Sequence, residues 1–77
     1  MIIDKYTTTD FKLVNDFTML SIDGKVMTMR NDNKYNIYYI TNEGDKILFG
    51  EEIETDGFCK LIDIINDLVP EYKGIYD

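Results

Sequence analysis

The sequence predicts an α+β fold, a small antiparallel β-meander of three to five strands with one C-terminal amphipathic helix packed on one face and a short N-terminal helix as a further candidate element. Two patterns carry the expectation. Toward the C-terminus Phe58, Leu61, Ile62, Ile65, Leu68 and Val69 recur at spacings that put them on one side of a helix. Before them, Asp23-Gly24 interrupts two alternating stretches as a tight hairpin does, and Tyr35 to Thr41 is rich in the aromatic and β-branched residues that suit a strand. At 77 residues the chain is expected to be one domain, 1–77, with residues 71–77 as a docked or frayed tail.

Taken in order, Met1 to Tyr6 offers Ile2 and Ile3 to an edge strand. Thr7, Thr8 and Thr9 suit the cap of a short helix over Asp10 to Asn15, although Phe11 and Val14 suit an extended segment equally. From Phe17 to Arg30 the Asp23-Gly24 turn proposes a register in which Leu20 faces Met27 and Thr18 faces Met29. One face then gathers Leu20, Ile22, Met27 and Met29, and the other gathers Phe17, Met19, Val26, Thr28 and Arg30. Asn31 to Lys34 is the next turn, and Asn42 to Asp45 reverses the chain into a strand over Lys46 to Phe49. With both loops tight, Tyr38, Ile40, Ile47 and Phe49 join Leu20 and Met27 on the core face. Gly50 permits a change of direction, and Glu51, Glu52 and Glu54 surround Ile53 in an acidic link to the helix. The helix itself, over 56–69, has cap candidates in Thr55 and Asp56 and a stop in Pro70.

The second sheet face would carry Phe17, Met19, Val26, Tyr35, Ile37, Tyr39 and Leu48, which is too apolar to be left in water. Tyr35, Ile37 and Tyr39 are therefore expected to be covered. The candidates are residues 1–15, the C-terminal tail, a second copy in a homodimer, or another protein.

The net charge of −7 is unevenly placed. Residues 1–41 carry as many acidic as basic groups, so the whole excess falls after residue 41. A field of that sign repels phosphate backbones and attracts basic protein surfaces, which argues against direct nucleic-acid binding despite Tyr35 and Tyr39 as stacking candidates. The longest apolar runs are far too short to cross a bilayer, the start lacks the regions of a secretory signal, and a single cysteine excludes an internal disulfide framework. A cytoplasmic protein without membrane contact is the expectation.

Catalytic chemistry has little to work with. Histidine is absent, and with it the side chain best matched to proton transfer near neutral pH. Cys59 has Asp56 and Asp63 near in sequence, which oppose a thiolate, so it is expected to fill space beside Phe58. Asn31 to Lys34 lacks the central glycine and terminal glutamate of a calcium loop, and the spacing of Glu51, Glu52, Glu54 and Asp56 matches no metal loop. The expectation is a protein that is not an enzyme and uses neither cofactor nor metal.

What remains is a binding surface. Glu51, Glu52, Glu54 and Asp56 are compressed into six positions, and Asp63, Asp67 and Glu71 extend the charge along the helix. Together they are expected to present carboxylates to a basic surface on another protein, as an inhibitor or nucleic-acid mimic if that partner handles nucleic acid. In size and charge the chain resembles small acidic inhibitors encoded by bacterial viruses, a likeness of composition with no shared motif. The competing expectation is a homo-oligomeric structural or accessory protein that assembles through the apolar second face at Tyr35, Ile37 and Tyr39.

Overall fold

The computed structural model describes residues 5–76. Within them a 3-10 turn (Thr8–Asp10) leads into β1 (Phe11–Asn15), β2 (Thr18–Ser21), β3 (Val26–Asn31), β4 (Lys34–Ile40) and β5 (Lys46–Glu54), followed by α1 (Phe58–Tyr76). Strands adjacent in sequence are adjacent in one antiparallel sheet, in the order β1-β2-β3-β4-β5. The expected strand over Met1 to Tyr6 lies mostly outside the described residues. The alternative of a helix over Asp10 to Asn15 gives way to β1. Helical geometry ends at Asp10, whose carboxylate accepts the Thr7 amide at 2.8 Å, and the Phe11 ring then enters the core between Tyr6 and Phe58.

The Asp23-Gly24 hairpin has the register its sequence proposes, with Thr18 opposite Met29 and Leu20 opposite Met27. Gly24 takes φ +74°, which only glycine adopts without strain. Asp23 Oδ1 accepts the Ser21 hydroxyl at 2.5 Å and the Lys25 amide at 3.1 Å, so the turn is closed by its own side chains.

Packing of the helix inverts the expected faces. α1 covers Val26, Thr28, Ile37 and Tyr39, and its Leu61, Ile62, Ile65 and Val69 are buried against them. Leu20, Met27 and Tyr38, expected in the core, form the open side of the sheet, and Leu48 joins them rather than Tyr39. Ile47 and Phe49 stay in the core for a local reason. The β4–β5 connection takes in Thr41 as well as Asn42 to Asp45, so Tyr39 pairs with Ile47 and Tyr38 with Leu48. One extra loop residue exchanges the faces of the strand that follows it.

β5 also runs beyond its expected end at Phe49, and two bulges explain how. Regular alternation would put Ile47, Phe49, Glu51 and Ile53 on one face and bury a carboxylate. Instead the pairing slips twice, bringing Gly50 opposite Ile37 and Ile53 opposite Tyr35. Gly50 is buried, Glu51 is exposed, and Glu52 takes φ +49° with its amide donating to Asn36 Oδ1 at 2.9 Å. A Cβ at Gly50 would lie 2.6 Å from Ile53 Cδ1 and 3.1 Å from Ile37 Cδ1, so the glycine makes room for both isoleucines.

Pro70 does not stop the helix. It deprives the Asn66 carbonyl of a helical donor, but contacts further along hold residues 71–76 in place. Tyr72 packs on Phe49 with centroids 4.9 Å apart and lies 6.2 Å from Tyr39, and Lys73 sits 5.2 Å from the Tyr6 ring centroid. At the other end Thr55 is not a cap: its hydroxyl donates to the Gly57 carbonyl at 2.9 Å, and α1 begins at Phe58.

Candidate partner-binding surface

The acidic residues singled out from sequence, Glu51, Glu52, Glu54, Asp56, Asp63, Asp67 and Glu71, are all solvent-exposed, as the polar side of an amphipathic helix and the margin of a sheet require. The structure divides them. Glu54 at the end of β5, Asp56 before α1 and Asp63 in its second turn surround one shallow hollow with Thr55, Lys60 and Ile64. Asp67 and Glu71 follow Asp63 at steps of four, so the three form a row along the outward side of α1. Glu52, by contrast, turns to a separate hollow beside Met29, Asn31, Lys34 and Asn36. The second bulge is the reason, since it rotates Glu52 away from the residues on either side of it.

Lys60 is the basic group of this patch, and sequence reasoning passed over it although its spacing from Asp56 was legible. Its Nζ lies 3.6 Å from Asp56 Oδ2, with both side chains mostly in water, so the pair contributes about 0.5 kcal/mol or less. Glu54 accepts a hydrogen bond from Asn33 Nδ2 at 2.8 Å, which ties the end of β5 to the β3–β4 turn. Among the described residues no three carboxylates or thiols converge as metal ligands.

Ile37 and Tyr39, expected as an interface with Tyr35, are completely buried by α1 within the chain and offer no surface to a second copy. Tyr35 is half-buried and lines a groove of about 200 Å³ with Leu13, Phe17, Met19, Arg30 and Phe58. The exposure of Leu13 and Phe17 at this groove has no signal in the residue pattern, because it depends on where α1 begins. Cys59, expected to fill space, is exposed, the neighbouring Phe58 being the residue that turns inward. No described helix is long and apolar enough to cross a membrane.

A second polar cluster lies inside the fold. The Asp23 side chain, 4% exposed, receives the Tyr6 hydroxyl on Oδ2 at 2.7 Å and has Lys73 Nζ 3.9 Å away. Burial alone would raise the Asp23 pKa, but hydrogen bonds from Ser21, Tyr6 and the Lys25 amide, with the charge of Lys73, outweigh it and hold the carboxyl below its ordinary range. Burial, reinforced by the hydrogen bond to Asp23, pushes the Tyr6 phenol up, so it remains a donor. Asn66 completes the attachment of Tyr6, accepting its amide at 2.7 Å and donating to its carbonyl at 2.9 Å. Every member of this cluster has a structural partner, and it fastens the N-terminal segment and the end of α1 to the β2–β3 hairpin.

Fold and surface together define a small acidic α+β domain with a carboxylate-bearing side. Compared with protein-family models, curated proteins and solved structures, the chain finds no match.

Proposed function

We propose that the chain is a protein-binding module that presents Glu54, Asp56, Asp63, Asp67 and Glu71 to a basic surface of another protein. The reading extends to an inhibitor whose carboxylates occupy phosphate positions on a nucleic-acid-handling partner. The observation that supports it is the exposed row of Asp63, Asp67 and Glu71, continued by Asp56 and Glu54 around a shared hollow. Steps of four residues space the helix carboxylates about 6 Å apart along the axis, within a factor of two of the charge spacing along one strand of DNA. The opposite side of α1 is committed to the core, so this side is available for contact. Long-range attraction would speed encounter and weaken with salt, while close pairing at the carboxylates would supply selectivity.

The test begins with a basic protein recovered from the native cell or its host and purified. Its affinity is measured by titration calorimetry against the wild type and a D63N/D67N/E71Q variant, at low and at high salt. The expected result is a loss of at least about tenfold in affinity for the variant, which stays folded, and a smaller difference at high salt. Equal affinity of the two proteins at both salt concentrations would overturn the reading.

A further inference from the structure

The two edges of the sheet are built differently. β5 is interrupted by two bulges and carries Glu51, Glu52 and Glu54, the devices by which proteins keep an edge from pairing with another chain. Among the described residues β1 pairs only with β2, has no proline, bears a single charge, Lys12, and pairs regularly from Phe11 to Leu13 before one register shift between Leu13 and Asn15. Its surroundings are apolar: Leu13 is 72% exposed, Val14 59% and Phe17 60%. The backbone alternation shows which groups are unpaired. The Ile22 amide donates to the Asp10 carbonyl at 2.8 Å, so Asp10 and Ile22 are a bonded pair, and the next bonded pair is Lys12 with Leu20. Phe11 and Leu13 therefore turn their N–H and C=O groups toward the open side.

We infer that the β1 edge is where a second copy of this chain adds, antiparallel, to make one continuous sheet across a two-fold axis. Charge favours a copy at this edge. Because strand order follows sequence order, the electrically balanced residues 1–41 form the β1 side of the sheet, and the excess of −7 belongs to β5, α1 and the segments joining them. Pairing through β1 keeps β5 and its glutamates at the far ends, with only the start of α1, where Phe58 packs on Phe11, beside the contact. Register is constrained as well. Centring the pair on Lys12 would set two like charges opposite each other, whereas centring it on Leu13, the last residue of β1 before its register shift, makes Leu13 a bonded pair with Leu13 of the second copy. The second Leu13 then falls on the side of the sheet where the first meets Met19, beside the groove of about 200 Å³ that Leu13, Phe17 and Tyr35 line.

An edge contact of a few residues is small beside a standard interface of ~800 Å² per partner, and the dimer is expected to be weak and concentration-dependent. This inference is independent of the acidic-surface reading and survives its failure. The full chain is examined by sedimentation velocity from about 5 to about 500 µM, alongside Leu13→Pro and Leu48→Lys. The wild type is expected to pass from monomer to dimer across this range. Leu13→Pro removes an outward amide without breaking a bond to β2 and is expected to stay monomeric, while Leu48→Lys, on the open face, dimerises as the wild type does. Amide exchange keeps the proposal decidable if Leu13→Pro does not fold: the Phe11 and Leu13 amides of the wild type should exchange at least ~10-fold more slowly at the highest concentration than at the lowest. A monomer at every concentration, concentration-independent exchange at these amides, dimerisation of folded Leu13→Pro, or loss of the dimer in Leu48→Lys would each overturn it.

Discussion

The two faces of this sheet carry similar apolar content and have different fates. On one, Ile37 and Tyr39 lie beneath α1 without residual exposure. On the other, Leu20, Met27, Tyr38 and Leu48 make a row across four strands that remains in contact with water. What separates them is shape. The covered face includes Thr28 and Gly50, small residues on either side of Ile37 in one cross-strand row, and these let a helix approach. The bare face presents Met27 beside Tyr38 in the equivalent place, both larger side chains. Hydrophobicity selects residues for burial, but volume decides which of two apolar faces can be closed.

The strongest way to break this comparison is to hollow out the closed side. Ile65 is completely buried at the centre of α1, and Ile65→Ala should lower stability by about 2–5 kcal/mol, the cost of a core cavity that its neighbours cannot fill. Urea unfolding followed by circular dichroism measures the loss. A cost below about 1 kcal/mol would mean that the helix does not close the face through this residue.

Much of this architecture is readable in the residues and some of it is not. Asp23-Gly24 announces its hairpin and register because turn geometry is local. The helix stripe from Phe58 to Val69 is likewise set by periodicity within one segment. Which residues of β5 join the covered face depends on Thr41 joining a loop and on two bulges around Glu51, and each of these is a choice between registers that a linear pattern leaves equivalent. The passage of α1 through Pro70 reflects the docking of Tyr72 on Phe49, a tertiary contact that offsets a local penalty of about 3 kcal/mol. At the candidate site, the exposure of every acidic side chain follows from composition. The separation of Glu52 from Glu54 does not, since a bulge turned one of them away.

A second experiment loosens what fastens the cover. Asp23 holds Tyr6 of the N-terminal segment and Lys73 of α1 on the closed side, and Asp23→Asn removes charge-assisted hydrogen bonds worth about 1.5–3 kcal/mol near neutral pH. The pH dependence has a definite direction. The carboxyl is held below its ordinary value of 3.8 in the folded protein, so its stabilising contribution is fully present above that value and is lost as pH falls through the folded pKa. The stability difference between wild type and Asp23→Asn should therefore be constant from neutral pH down to about 5 and shrink below about 4. Urea midpoints at several pH values provide the measurement, and a difference that persists unchanged at the lowest pH would remove Asp23 as the fastening.

The smallest effect belongs to the bare face, and Leu48→Lys sharpens the comparison because it places a charge where the closed side would not tolerate one. Leu48 is 43% exposed at the β5 end of the row, next to Tyr38. A lysine there can lay its methylene stem along the Tyr38 ring and keep its ammonium in water, so the apolar contact is only partly lost. It also adds a positive charge beside a strand rich in glutamate, on a chain whose net charge is −7. The two contributions oppose each other, and the expected change in stability is below about 1 kcal/mol in either direction. The same substitution at Ile37 would bury an unpaired ammonium beneath α1 and abolish folding. A loss above about 2 kcal/mol for Leu48→Lys would show that the open row contributes to stability as a core does, and the contrast between the faces would then be one of degree.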